Sequence, residues 1–207
     1  LAIVAIGASA GGVSALRALL TRFPKDSGLA FVVVVHLSPE HESELDTILA
    51  ADLEMPVTQV EATVPLEPDH VYVIPPNANL DAADTHLRPS RLETPRWARS
   101  PIDHFFRTLA RHHGGRAIGI ILSGGGSDGT LGLRDIKERN GLSIVQDPEE
   151  AEYDGMPRSA LSGAPVDLVL SLADIPGAVL RFAESRPSLT VPRDEEPADA
   201  GVQDFLQ

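Results

Sequence analysis

Apolar positions recur along this chain in two rhythms. Short runs at Ala2–Ile6, Phe31–Val35 and Arg116–Leu122 predict buried strands, and Leu142–Val145 and Asp167–Leu170 predict two more strands. Between them, apolar residues fall three and four apart. Val13, Leu16, Leu19, Leu20 and Phe23 mark a helix ended by Pro24, and Leu45, Ile48, Leu49 and Leu53 mark another over 42–53. Ser100-Pro101 reads as an N-cap and first helical residue, followed by the apolar face Ile102, Phe105, Phe106 and Leu109. Further helices are predicted over Thr130–Arg139, stopped by Asn140-Gly141, then near Pro157–Leu161 and over Ile175–Ala183.

The stretch from Met55 to Trp97 breaks the alternation. Its strands, at Val57–Val60, His70–Ile74, Asn79–Asp81 and His86–Arg88, are short, prolines are frequent, and a hairpin is expected around Ala83-Asp84-Thr85. This stretch predicts an antiparallel extension at one sheet edge. The whole reads as an α/β fold: a doubly wound, mostly parallel sheet with helices on both faces and a small antiparallel edge extension. Residues 1–185 form the predicted domain. Residues 186–207, rich in Pro, Asp and Glu, read as a disordered linker. The start at Leu1, already inside a strand and without an initiator Met, reads as a domain cut from a longer polypeptide.

Charge and composition narrow the function. A net charge of −13, with no basic stripe, argues against nucleic acid and against anionic membrane surfaces. The longest apolar run, Leu29–Val35, is too short to span a bilayer, so no membrane insertion is expected. With no cysteine there is neither a disulfide framework nor a thiolate nucleophile, which fits the cytoplasm. His41, His104 and the His112-His113 pair are assigned to solvated helix faces, and no metal-ligand spacing stands out.

Three strands end in unusual chemistry. The first ends in Ser9 within Gly7-Ala-Ser-Ala-Gly11, the second in His36, and the third in a Gly-rich loop carrying Asp128. Parallel strands finish at one edge, so a hydroxyl, an imidazole and a carboxylate can converge there as nucleophile, base and orienter. Flanking glycines let backbone N–H groups approach an oxyanion. Each residue also has a plainer role: Ser9 as a turn former, Asp128 as the N-cap of the following helix, His36 as a surface histidine. A strand followed by glycines equally suits a dinucleotide pyrophosphate, although His36 stands where a ribose-binding acid is expected.

The segments Ile6–Gly12, Val33–Pro39, His70–Pro76, Leu122–Gly129 and Asp154–Arg158, in that order, resemble the catalytic domain of the CheB-type chemotaxis receptor methylesterases, from about residue 2 to 184. The resemblance implies hydrolysis of glutamate γ-methyl esters on the helical bundle of a chemoreceptor, with release of methanol. Deamidation of receptor glutamines is a related activity. It implies Ser9, His36 and Asp128 as the catalytic residues, no cofactor and no metal. Backbone N–H groups of Ala10 and Gly125 would form the oxyanion hole, with Met156 and Arg158 at the substrate rim. Two positions depart from the family pattern: Ala10 stands where Thr is frequent, and Gly125 where Met is common. The wording around Tyr153–Ser159 and the acidic tail resemble versions fused to methyltransferase or sensor domains. A dinucleotide-binding oxidoreductase and a catalytically silent interaction module are the alternative readings.

Overall fold

The computed structural model describes residues 1–9, 11–35, 44–91 and 100–186. In chain order the elements are β1 (Ala2–Ala8), α1 (Gly12–Leu20), β2 (Leu29–Val35), α2 (Leu45–Asp52), β3 (Val57–Gln59), β4 (Val64–Pro65), β5 (His70–Val73), β6 (Ala78–Ala82) and β7 (His86–Arg91). They continue with α3 (Pro101–His113), a single 3-10 turn (Gly114–Arg116), β8 (Ala117–Ile121), α4 (Thr130–Glu138), β9 (Leu142–Gln146), α5 (Gly155–Gly163), β10 (Leu168–Leu170) and α6 (Ile175–Glu184).

Seven strands form one sheet in the order β10-β9-β8-β1-β2-β5-β3. Every pairing in it is parallel. The continuous apolar runs explain its centre: β2 is buried at every position, and β1 at every position after Ala2. From β1 the sheet grows outward through β2 and β5. The helix α3 then returns the chain to the opposite side of β1, where β8, β9 and β10 follow in turn. The direction of winding therefore reverses between β1 and β8, and a crevice opens at the carboxyl ends of strands where this happens. Phe31, Phe105 and Phe106 are among the largest side chains wholly enclosed between sheet and helices. Phe23 meets Phe31 edge-on at 4.8 Å between centroids, a favoured aromatic geometry.

The antiparallel extension is real but differs from expectation. Residues 57–60 and 70–74 do not belong to it, because β3 and β5 join the main sheet in parallel. Val71, Tyr72 and Val73 are all buried, as a strand covered on both faces requires. Pro56, Pro68, Pro75 and Pro76 lie in the connections around β3 and β5, whereas Pro65 and Pro89 lie within the antiparallel strands β4 and β7. The antiparallel part is a separate three-stranded sheet, β4-β7-β6. Its hairpin turns where predicted, with Ala83 N–H donating to His86 O at 2.9 Å. A second correction concerns α3. His113 is buried rather than solvated, one ring nitrogen lying 3.2 Å from Ala83 O, because α3 packs against this hairpin. His104 and His112 remain partly exposed, facing Asp81 and Asp84 respectively. His41 lies outside the described residues, as do 187–207.

Candidate active site

The site is assembled from the two loops that flank the winding reversal. Ser9 follows β1 directly, and its N–H donates to Ser123 O at 3.1 Å, which ties the exit of β1 to the exit of β8. The chain then turns sharply, with Gly12 N–H donating to Ser9 O at 2.8 Å, and α1 begins. Gly11 makes the turn possible. Its φ is +69°, and a Cβ there would lie 2.8 Å from Glu152 Oε2 and 2.9 Å from Tyr153 Cδ2. Ser9 thus stands at the amino end of α1, where the helix dipole favours developing negative charge.

The Gly-rich loop after β8 is stitched from below. Ser123 N–H donates to the buried side chain of Gln146 at 3.0 Å, and Tyr153 N–H donates to Ser123 Oγ at 3.0 Å. Gly124 N–H donates to Tyr153 O at 2.9 Å, Met156 N–H to Gly124 O at 2.8 Å, and Ser159 Oγ to Gly126 O at 3.0 Å. Gly124 lies pressed between two side chains, since a Cβ there would be 2.9 Å from Ser9 Cβ and 2.2 Å from Met156 Sδ. The Ser9 loop and the glycine loop are therefore in van der Waals contact. Beyond Gly124 the loop opens: Gly125, Gly126 and Ser127 are exposed.

Asp128 closes the loop. It does not cap the helix that follows it, α4, whose N-cap position is Gly129. Its two carboxylate oxygens instead accept the N–H groups of Ile102 at 3.1 Å and Asp103 at 3.0 Å, at the amino end of α3. Ser100 occupies the N-cap position of α3, but its side chain makes no capping bond, and Asp128 supplies that interaction from across the fold. Burial pushes the Asp128 carboxyl up to about 6, the neighbouring Asp103 adds to the rise, and the N–H groups of Asp103, Ile102 and Gly129 pull the other way. Its two oxygens have about four lone-pair sites between them, so beside these three donors the carboxylate can still accept an imidazole N–H.

His36 and Ala10 lie outside the described residues. Val35, the last described residue before His36, pairs in register with Ala8, the residue before Ser9. Met156, expected at the rim, is instead buried with 1% of its surface exposed, its sulfur packed against Gly124. Arg158 is on the surface of α5. Its guanidinium meets Asp154 at 2.5 Å and Glu149 at 2.9 Å, and these partners hold it firmly protonated. Two contributors were not anticipated. Gln146 carries a legible signal, a polar residue ending the apolar run Leu142–Val145, just as Ser9 ends the first run. Asp103 reads in sequence only as an ordinary first-turn acid.

The fold and this crevice define a class: an α/β protein presenting a serine at a helix amino terminus, beside a loop of backbone donors and an anchored carboxylate. The comparisons identify it further. The chain matches the CheB methylesterase family over residues 4–179, and it belongs to that family. It is 36% identical to a putative protein-glutamate methylesterase/protein-glutamine glutaminase of Leptospira interrogans, over 88% of this chain and 95% of that protein. It is also 36% identical to the protein-glutamate methylesterase/protein-glutamine glutaminase of Moorella thermoacetica, over 86% of this chain but only 43% of that longer protein. The crystal structure of the Thermotoga maritima CheB methylesterase catalytic domain superimposes with a TM-score of 0.79 at 28% identity, covering 87% of this chain and 98% of that one.

Proposed function

We propose that this domain hydrolyses γ-methyl esters of protein glutamates through Ser9, His36 and Asp128. The observation that carries the reading is the junction of the β1 and β8 exits. There Ser9 sits at the head of α1 and is bonded through its N–H to Ser123, in the loop that ends in the anchored Asp128. His36 takes the hydroxyl proton as Ser9 Oγ attacks the ester carbonyl. The negative charge passes to the carbonyl oxygen, which accepts N–H bonds from Ala10 and Gly125. As the tetrahedral adduct collapses, the C–OCH3 bond breaks and the imidazolium returns its proton to the leaving group, giving methanol and a glutamyl-serine ester. Water, deprotonated by His36, then attacks this ester. Ser9 is regenerated and the product is a free glutamate carboxylate. A glutamine amide follows the same route with ammonia as leaving group, in keeping with the double activity named for the two relatives.

The substrate of this reading is a methylated glutamate on the cytoplasmic helical bundle of a chemoreceptor-type protein, which puts the domain in the cytoplasm. Among the described residues no helix is long and apolar enough to cross a membrane. A domain working within a longer polypeptide is in keeping with the greater length of the Moorella relative, and methyltransferase or sensor modules are the fusion partners of this reading. The test is methanol release from a methylated receptor. Ser9→Ala is expected to lower kcat by roughly 10^4-fold or more while preserving the fold. Unchanged turnover in that variant would remove the covalent mechanism.

A further inference from the structure

The helices α3 and α4 exchange carboxylates at their amino ends. Asp128, just before α4, accepts the N–H groups of Ile102 and Asp103 at the start of α3. In return Asp103, in the first turn of α3, accepts the N–H of Gly132 at 2.7 Å, in the first turn of α4. The two bonds close a ring that runs from the α3 backbone to Asp128, through the first turn of α4 to Gly132, and back through the Asp103 side chain. The helices touch where the ring closes. A Cβ on Gly132 would lie 2.5 Å from Phe106 Cβ and 3.0 Å from Asp103 Cα, so the backbones meet at a distance only glycine permits.

We propose that Asp103 is a positioning residue for Asp128: it fixes the distance between the two helix ends, and so the place and direction of the triad carboxylate, and adds a second negative charge behind it. The inference rests on the esterase reading for its functional meaning but not for its geometry. Asp128 is held by the N–H groups of Ile102 and Asp103 at the start of α3, with the N–H of Gly129 beside it. Without the Asp103 bond, the first turn of α4 loses its hydrogen bond to α3, and Asp128, two residues before that turn, loses part of the support that fixes its place. A plain N-cap would serve this purpose poorly, because it ties a helix to its own preceding loop and not to a neighbouring helix.

The charge has its own consequence. Asp103 is buried, and burial raises its carboxyl while the N–H groups of Gly132, Gly129 and Leu131 and the charge of Arg107 hold it down. Arg107 is itself paired with Asp135 of α4 at 3.1 Å. An ionised Asp103 raises the proton affinity of Asp128 and of any imidazole bonded to it.

The test compares wild type, Asp103→Asn and Asp103→Ala in the full chain. It uses carboxyl carbon NMR titration of Asp128, thermal unfolding, and pH profiles of methanol release. Asparagine keeps an oxygen for Gly132 N–H but removes the charge. It is expected to fold normally, lower the Asp128 midpoint by about 0.5–1 pH unit and move the acid limb of kcat/KM the same way. Alanine removes the tether, and kcat should fall about 10- to 100-fold with KM unchanged, beyond any loss of folded protein. An Asp128 midpoint that stays put in both variants overturns the inference, as does wild-type kcat in the alanine variant. Absence of methanol release by the wild type, with the NMR shift still present, sinks the esterase reading alone.

Discussion

Gly124→Ala asks how tightly the serine loop is held. One methyl group is added, and it has nowhere to go: its carbon would lie 2.2 Å from Met156 Sδ, 3.1 Å from Met156 Cγ and 2.9 Å from Ser9 Cβ. Ordinary carbon contacts begin near 3.5 Å. Met156 is 1% exposed, so its thioether cannot swing into solvent. Overpacking of this kind costs about 1–3 kcal/mol, which lowers Tm by roughly 2–10 °C in a domain of this size. The contact with Ser9 has a separate effect. Relieving it moves the hydroxyl by several tenths of an ångström, and a displacement approaching 1 Å costs about 10^2-fold in rate. We expect kcat for methanol release to fall 10- to 100-fold with little change in KM. The double variant Gly124→Ala/Met156→Ala separates the two strains. Removing the sulfur should make it more stable than the sum of the single changes by about 1 kcal/mol or more. Its kcat should stay low, because the methyl still presses on Ser9. Full recovery of kcat would show that Met156 governs the rate and that Ser9 was never displaced. A single variant as stable and active as wild type would refute the packing argument altogether.

Three further outcomes follow from the same site and its supports. Asp128→Asn should lower kcat by about 10^4-fold, as the imidazole loses its orienting anion. Its stability should change little at neutral pH, since the relief of a buried charge, about 3 kcal/mol for a carboxyl raised to about 6, is offset by about 1–3 kcal/mol for a backbone N–H left without its acceptor. The sign is checkable. A raised carboxyl stabilises the fold below its unfolded value near 4, and this is lost as pH rises through 6, so urea unfolding should show the variant gaining on wild type between pH 4 and 7. His113 works in reverse: burial lowers its proton affinity, so its contribution is present above about pH 6.5 and is lost on acidification. His113→Leu should flatten the acid side of the stability profile, and an unchanged slope would contradict this. Gln146→Leu leaves Ser123 N–H buried without its acceptor, at a cost of about 1–3 kcal/mol by denaturant melts, and kcat should drop because Ser123 O is the anchor for Ser9.

How much of this was legible in sequence divides along a physical line. The central strands were plain, because a strand buried on both faces must be apolar throughout, and β1, β2 and β8 are. Ser9 and the Asp128 loop were plain for the complementary reason: polar residues and glycines that interrupt such a run have to lie at its end. The short strands β3 and β5 were misassigned, since three or four residues carry too little pattern to separate a parallel inner strand from an antiparallel edge. Met156 was misplaced because a hydrophobic residue in a loop motif gives no sign of whether it faces the opening or the floor.

Asp128 shows where local reading stops being sufficient. An aspartate just ahead of a predicted helix reads as its N-cap, and that rule predicts a bond to its own helix, α4. The carboxylate turns to α3 instead, 25 and 26 residues upstream, and the reciprocal acid Asp103 turns to α4. The amino-terminal N–H groups of a helix can be met by its own preceding residue or by one from another element, so capping alone does not choose between the two arrangements. The crossed arrangement adds a fixed relation between two elements that meet at the winding reversal, where a reaction needs groups from different strands held to within a fraction of an ångström. A site assembled from separate strand ends has no continuous backbone to hold it. Hydrogen bonds that leave their own element, from Ser9 to Ser123, from Ser123 to Gln146, and between the two helix ends, supply the rigidity that the sheet by itself does not.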